Sequence, residues 1–163
     1  MIASITFSGI VLAIHVISVV VAFGVLFAYP IVTGYVERNQ PRALPALYGA
    51  MVPVARMVTA PAATLALVCG IYLASHLHVW SKVWVSVPLL VLLVVMGIEG
   101  ALLIPRRKKA ADLSARDIEA STDGTVRFST EMIGLRDQIF RLGLLDSALI
   151  VVAILFMVVG PTA

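Results

Sequence analysis

Charge is scarce in this sequence. Lys, Arg, Asp and Glu together make up 13% of the 163 residues, and no charged side chain precedes Glu37. Hydrophobic residues make up 61% of the chain. A soluble domain of this length cannot bury so much apolar surface, whereas a membrane protein exposes it to lipid. The scarcity of charge therefore excludes an ordinary soluble domain and predicts an integral membrane protein.

Cysteine is almost absent as well. Cys69 is the single cysteine, which excludes an intrachain disulfide, and its apolar surroundings favour a packing role over a reactive thiol. The sequence also lacks a phosphate-binding loop, a nucleophile triad and zinc-ligand spacing. The first residues contain no basic segment, and no small-residue cleavage site follows the first apolar run. We therefore expect a retained helix rather than a signal peptide.

Four long apolar runs predict an all-α, polytopic membrane four-helix bundle that forms a single domain over residues 1–163. Each run can cross the ~30 Å hydrocarbon layer at a rise of ~1.5 Å per residue. The expected helices cover about 5–36, 45–76, 82–104 and 125–160. The third is expected to end at Pro105. A long basic loop follows over residues 106–141, with a turn at Ala120–Gly124 and then a polar helix that leads into the fourth span.

Eleven of the twelve Lys and Arg residues lie at one end of this bundle, and only Lys82 lies at the other. Positive charge marks the cytoplasmic side of membrane proteins. We therefore expect both termini outside and the basic loop in the cytoplasm, with the protein in the bacterial inner membrane. The four cations at the membrane exit are expected to contact anionic lipid headgroups rather than nucleic acid: Arg106, Arg107, Lys108 and Lys109.

Small and weakly polar residues recur at helical spacing in the first two spans. Such a stripe lets helices approach closely in lipid, so it predicts the faces that contact other helices. In the first span the stripe contains Ser4, Ser8, His15, Ser18 and Ala22. In the second span it contains Arg56, Thr59, Ala63, Ala66 and Gly70.

Four ionisable residues are predicted to meet near the basic end of the bundle: Arg56, Glu99, Asp146 and Arg141. Charges buried in a membrane must pair or face water. We therefore expect an Arg56–Glu99 contact, with Asp146 near Arg141 or Arg56. Two interpretations remain open. The group is either a structural ion pair at the inner boundary or part of a path for protons or ions.

His15 lies in an apolar run nearer the opposite end of the first span. Its imidazole can be neutral and bonded to a neighbouring hydroxyl or carbonyl. It can also be an axial ligand of haem b, because an apolar bundle would sequester the porphyrin. His76 and His78 are weaker candidates for an external metal site, or they simply flank the interface beside Trp80.

The first span, HVISVVVAFGVLFAYP, resembles that of the HemJ-type protoporphyrinogen oxidases and the related copper-resistance D membrane proteins. His15, Gly24 and Pro30 carry the resemblance, together with Pro61 and Gly70 in TAPAATLALVCGIYL. The last span, FRLGLLDSALIVVAILFMVVGP, is also similar, and the nearest branch is one of predicted integral membrane proteins of unknown function. HemJ-type enzymes carry a lysine and histidines in the third span that this chain lacks. The resemblance therefore implies a haem ligand at His15 and no further catalytic residue.

Three functions remain open at this stage. The first is a non-enzymatic or accessory bundle, working as a homo-oligomer or as a subunit of a membrane complex. The second is a haem b protein that uses His15, which as an enzyme would be a haem-dependent membrane oxidoreductase. The third is a small proton- or ion-coupled transporter, which would need an oligomer because the chain is short.

Overall fold

In the computed structural model, which describes residues 6–121 and 125–160, every regular element is helical. Helix α1 covers Phe7–Asn39. Thr6 caps its first turn, because the Thr6 hydroxyl oxygen accepts a hydrogen bond from the Gly9 amide. A 3-10 turn at Pro41–Ala43 leads into α2 (Leu44–Val54), a π-helical segment (Ala55–Thr59) and α3 (Ala60–His76). Next come α4 (Val83–Gly97), a second π-helical segment (Ile98–Leu103), α5 (Ile104–Glu119) and α6 (Thr130–Val159).

The described residues form four continuous helices that are long and apolar enough to cross a membrane: Phe7–Asn39, Pro41–His76, Val83–Glu119 and Thr130–Val159. Only 11 to 28% of the most apolar window in each is buried within the protein. The remaining apolar side chains face outward, which is expected when lipid rather than water surrounds the helices. The predicted four-helix membrane bundle is confirmed.

The helices pack in pairs, α1 against α3, α2 against α5, and α4 against α6. One buried cluster lies within the bundle and contains Ala22, Phe23, Leu26, Ala63, Val95 and Ile150. Ala22 and Ala66 are fully buried, as the small-residue stripes predict, because a methyl side chain lets two helix backbones approach closely. Ser18, Thr59 and Ala63 on these stripes are also buried, whereas Ser4 lies outside the described residues.

The segment predicted as a basic loop is largely helical, so that expectation is wrong for residues 106–119. The third long helix continues through Pro105 to Glu119, and α6 already begins at Thr130. The predicted polar helix leading into the fourth span is confirmed. Helix α5 and the first turns of α6 form a helical hairpin. A second buried cluster joins this hairpin to α2 and contains Leu44, Tyr48, Met51, Ala110, Leu113, Met132 and Leu135. We call this part of the bundle, with residues 37–42, 105–121 and 125–141, the basic end.

The turn of the basic-end hairpin is held by one buried carboxylate. Asp117 accepts hydrogen bonds from the Ser129 amide at 2.8 Å and the Ser129 hydroxyl at 2.7 Å. The Ser129 hydroxyl oxygen also accepts a bond from the Met132 amide, so it caps the first turn of α6. The turn predicted at Ala120–Gly124 lies only partly in view, because 122–124 fall outside the described residues.

The two π-helical segments each precede a proline, Pro61 or Pro105, whereas Pro30, Pro53 and Pro88 lie in regular α-helix. A proline lacks an amide hydrogen, and its ring collides with the carbonyl four residues earlier. For Pro61 and Pro105 that carbonyl belongs to Met57 and Ala101, and both of these residues lie within a π-helical segment. The wider π turn moves the carbonyl away from the ring. The helix therefore continues through Pro105 instead of ending there.

Candidate ion-binding site at the basic end

The geometry centres on a buried ion pair within the third long helix. Arg107 donates from Nη1 to Glu99 Oε2 at 2.8 Å and from Nη2 to Oε1 at 3.0 Å. The two side chains are 3% and 9% exposed. In a regular α-helix a separation of eight residues turns the side chains about 80° apart. The π-helical segment between them winds more slowly, which brings both side chains to one face and allows the bidentate contact.

Tyr29 extends this pair towards α1. The Arg107 guanidinium carbon lies 4.8 Å from the centre of the Tyr29 ring, a cation–π contact. The Tyr29 hydroxyl and Arg107 Nε are both buried, and neither has a hydrogen-bond partner in the part of the chain that the structure describes. Two donors are therefore left without an acceptor beside the ion pair.

Asp146 completes a group of four residues, which we call the buried polar cluster: Tyr29, Glu99, Arg107 and Asp146. The Asp146 side chain is buried, with the residue only 1% exposed. Both of its carboxylate oxygens lack a hydrogen-bond partner among the described residues. Glu99 and Arg107 are near enough to act on it electrostatically. A carboxylate that is charged and unpaired in such a place is strongly disfavoured, so this group needs a proton or a cation.

The predicted partners of these carboxylates are wrong. Arg56 is exposed on the first π-helical segment, while its neighbours Ala55 and Thr59 are buried. Arg141 is exposed on α6. Neither arginine forms an ion pair within the described ranges 6–121 and 125–160. The structure therefore brings Glu99 and Asp146 together but leaves Arg56 and Arg141 apart from them.

Arg107 takes the place that the sequence analysis gave to Arg56. It was expected to contact lipid headgroups, but it is only 3% exposed, so that expectation is wrong for this residue. Because the helix continues through Pro105, Arg107 is carried into the bundle instead of leaving it. No sequence signal could have revealed this pair, because a spacing of eight residues places the two side chains about 80° apart in a regular α-helix. Lys108 and Lys109 remain exposed, and Arg106 donates to the Leu102 carbonyl.

A cavity of about 530 Å³ opens beside the buried polar cluster at the basic end. Its volume lies within the ~300–1,000 Å³ range of small-molecule sites. Tyr29 and Arg107 line it together with four charged residues and an apolar wall: Glu37, Arg38, Arg136, Asp137, Pro30, Met51, Ile139 and Phe140. Arg136 forms ion pairs with both Glu37 and Asp137. The sequence analysis did not identify this cavity, because its walls come from distant parts of the chain.

His15 is held on α3 by a hydrogen bond from Nδ1 to the Ala66 carbonyl at 2.8 Å. A carbonyl only accepts, so Nδ1 carries the proton and Nε2 keeps its lone pair. Gly70 lies directly beneath the ring, and a Cβ there would lie 3.2 Å from His15 Cε1. An imidazole oriented in this way is typical of metal-binding histidines. The neighbouring cleft, however, measures only about 40 Å³, and it does not fit a porphyrin within one chain.

The remaining candidates lie at the opposite end of the bundle. The His76 ring stacks on Tyr72 with 5.7 Å between ring centroids. His78 lies in the following turn with a φ of 54°. Cys69 is buried, as expected of a packing residue. Across residues 6–121 and 125–160, no three or more His, Cys, Asp or Glu side chains form a group that could hold a metal ion.

Comparison with known proteins gives one match. Residues 9–161 match the family described as "Predicted integral membrane protein (DUF2269)". The matched range reaches across all four long helices. No curated protein and no solved structure matches the chain.

Proposed function

Because the chain belongs to the DUF2269 family of predicted integral membrane proteins, we propose a membrane function that its buried polar cluster supports. Asp146 binds and releases a proton, and this step is coupled to transport across the bilayer. The proposal includes the bacterial inner membrane as the location and the cytoplasm as the side of the basic end, on the distribution of cations. It also includes assembly into an oligomer. An accessory role in a membrane complex is the simpler alternative.

The observation that carries the proposal is the unpartnered carboxyl of Asp146. The cluster contains two carboxyl groups and one guanidinium. One guanidinium neutralises one carboxylate, so the cluster is electrically neutral only when the second carboxyl holds a proton. Proton relays in membrane proteins use buried carboxyl groups of this kind. Arg107 binds Glu99 directly and is near enough to Asp146 to act on it electrostatically, so it favours the charged form of either carboxyl group.

The cavity at the basic end supports a route by which protons reach the cluster. It is lined by Tyr29 and Arg107, which also belong to the cluster. Its outer part carries Glu37, Arg136 and Asp137, which are charged and in contact with one another. A proton that enters from this side passes charged groups before it reaches Asp146. Arg56 is exposed and does not line the cavity, so it has no part in this route.

Infrared spectroscopy of the protein in liposomes tests the proton on Asp146. At neutral pH we expect the carbonyl-stretching band of a protonated, buried carboxyl group, which should disappear in Asp146→Asn. Asp112→Asn is the matched control, because Asp112 is exposed on α5 and should leave the band unchanged. A wild-type spectrum without this band, or a band that persists in Asp146→Asn, would show that Asp146 holds no proton.

Haem binding at His15 is the second candidate, and the free lone pair on Nε2 is the observation that favours it. The HemJ and copper-resistance D resemblance points the same way and remains a prediction. Because the cleft at His15 is too small for a porphyrin, this candidate requires a site completed by a second copy. Protein purified from haem-replete cells should then show a Soret band that His15→Ala removes. A colourless wild-type preparation would contradict it.

A further inference from the structure

We propose that the cavity at the basic end binds an amphiphilic anion, meaning an acid group on an apolar body. The acid group would lie against Tyr29, Arg107 and Arg38, and the apolar body against Met51, Ile139 and Phe140. This goes beyond the proposed proton-binding role of Asp146 and does not depend on it, because none of the recognising groups is a carboxyl of the cluster.

The inner wall of the cavity offers hydrogen-bond donors that have no acceptor. Arg107 is only 3% exposed, and both of its terminal nitrogens donate hydrogen bonds to Glu99. Its Nε and the Tyr29 hydroxyl remain without partners among the described residues. Buried donors of this kind are disfavoured until an acceptor satisfies them. Both atoms have almost no surface open to the cavity, so the side chains of the wall have to shift slightly before an acid oxygen in the cavity supplies that acceptor.

The charges around the cavity favour an anion over a cation. Glu37 and Asp137 are both engaged with Arg136, so neither is free to bind a cation. Arg38 is exposed at the rim and forms no ion pair in the part of the chain that the structure describes. It therefore supplies a positive charge that an entering acid group can pair with.

The apolar wall favours a ligand with a hydrocarbon part over a small inorganic ion. Met51 is buried, Ile139 is half-buried, and Phe140 is 49% exposed at the edge of the cavity. The cavity lies where the apolar spans meet the basic end, so we expect it at the level where headgroups and acyl chains meet. The ligand can be a membrane lipid that enters from the side or an organic acid that enters from the aqueous phase. Both present the same chemistry, an acid next to hydrocarbon.

Binding of four probes to the purified, intact protein distinguishes these sources. Decanoate represents a soluble amphiphilic acid, and decanol is the same chain without the charge. Nanodiscs of phosphatidylglycerol or of phosphatidylcholine compare an acidic lipid with a zwitterionic one. We expect decanoate, phosphatidylglycerol or both to raise the thermal midpoint, while decanol and phosphatidylcholine do not. A response to decanoate assigns a soluble source, and a response to phosphatidylglycerol alone assigns a lipid.

Two variants locate the binding. Gly34 lines the cavity, and a Cβ there meets nothing within 4 Å. Gly34→Leu adds a side chain whose Cβ has room, so it should occupy part of the cavity and abolish the effect. Gly49→Leu is its matched control, because Gly49 also has open space but does not line the cavity. Arg38→Gln should weaken binding about tenfold, whereas Lys108→Gln removes the same charge elsewhere and should not.

The proposal is overturned if the neutral probes bind as well as the acidic ones, or if neither acidic probe binds. It is also overturned if Gly34→Leu binds like the wild type while its fold is intact. Both variants lie outside the buried ion pair, so a loss of binding in them would not reflect unfolding of that pair. The infrared band of Asp146 should be unchanged in Arg38→Gln, which separates this proposal from the proton-binding one.

Discussion

Arg107→Met is expected to destabilise the protein by about 3–5 kcal/mol, since it leaves the buried Glu99 without its partner. The substitution also removes the cation–π contact with Tyr29 and leaves the cluster with two carboxyl groups and no cation. The measurement is the free energy of unfolding in detergent, from thermal or denaturant titration.

Two further variants make this prediction specific to the ion pair. In Arg107→Met combined with Glu99→Leu, both charges are replaced by apolar groups, and much of the stability should return. Arg106→Met removes a neighbouring, partly exposed arginine and should cost no more than about 1 kcal/mol. If Arg107→Met unfolds like Arg106→Met, the bidentate contact does not stabilise the fold.

Asp146→Leu is expected to act in the opposite direction on stability. It replaces an unpartnered buried carboxyl with an apolar side chain of similar size, so unfolding should become less favourable by about 1–3 kcal/mol. The same change should abolish proton flux into liposomes that contain a pH-sensitive dye. A gain of stability with a loss of function is typical of residues kept for activity.

The exposed residue Asp112 again provides the control. Asp112→Leu should change neither the free energy of unfolding by more than a few tenths of a kcal/mol nor the flux. If Asp146→Leu lowers stability instead, its carboxyl has a partner that stabilises the fold. If the flux is the same in Asp146→Leu and wild-type liposomes, the carboxyl does not carry the proton.

The long helices were predictable from sequence because lipid imposes a simple requirement. A run of about 20 apolar residues must form all its backbone hydrogen bonds internally, so it becomes a helix regardless of its neighbours. The buried stripe residues Ala22, Ala63 and Ala66 followed from the same environment, because small side chains are what lets helices approach in lipid.

The partner of Glu99 was not predictable, because it depends on which way each side chain points around its helix axis. Each residue advances an α-helix by about 100°, so a shift of one position decides whether a side chain faces the bundle or the lipid. Ala55 is buried and Arg56 is exposed. A π-helical segment changes the rotation locally, and sequence periodicity does not show where one begins. The π-helical segment Ile98–Leu103 and the expected helix end at Pro105 are the reasons why Arg107 was not predicted as the partner.

The third long helix also has a mechanical consequence. Its 37 residues from Val83 to Glu119 extend about 55 Å, well beyond the thickness of the hydrocarbon layer. The part beyond Pro105 is therefore a rigid helical extension, and Glu99 and Arg107 lie close to the point where it leaves the apolar span. A force applied to the hairpin near Asp117 would tilt the third long helix and so displace the Glu99–Arg107 ion pair. The helix would therefore couple the hairpin to the ion pair mechanically, with no ligand passing between them.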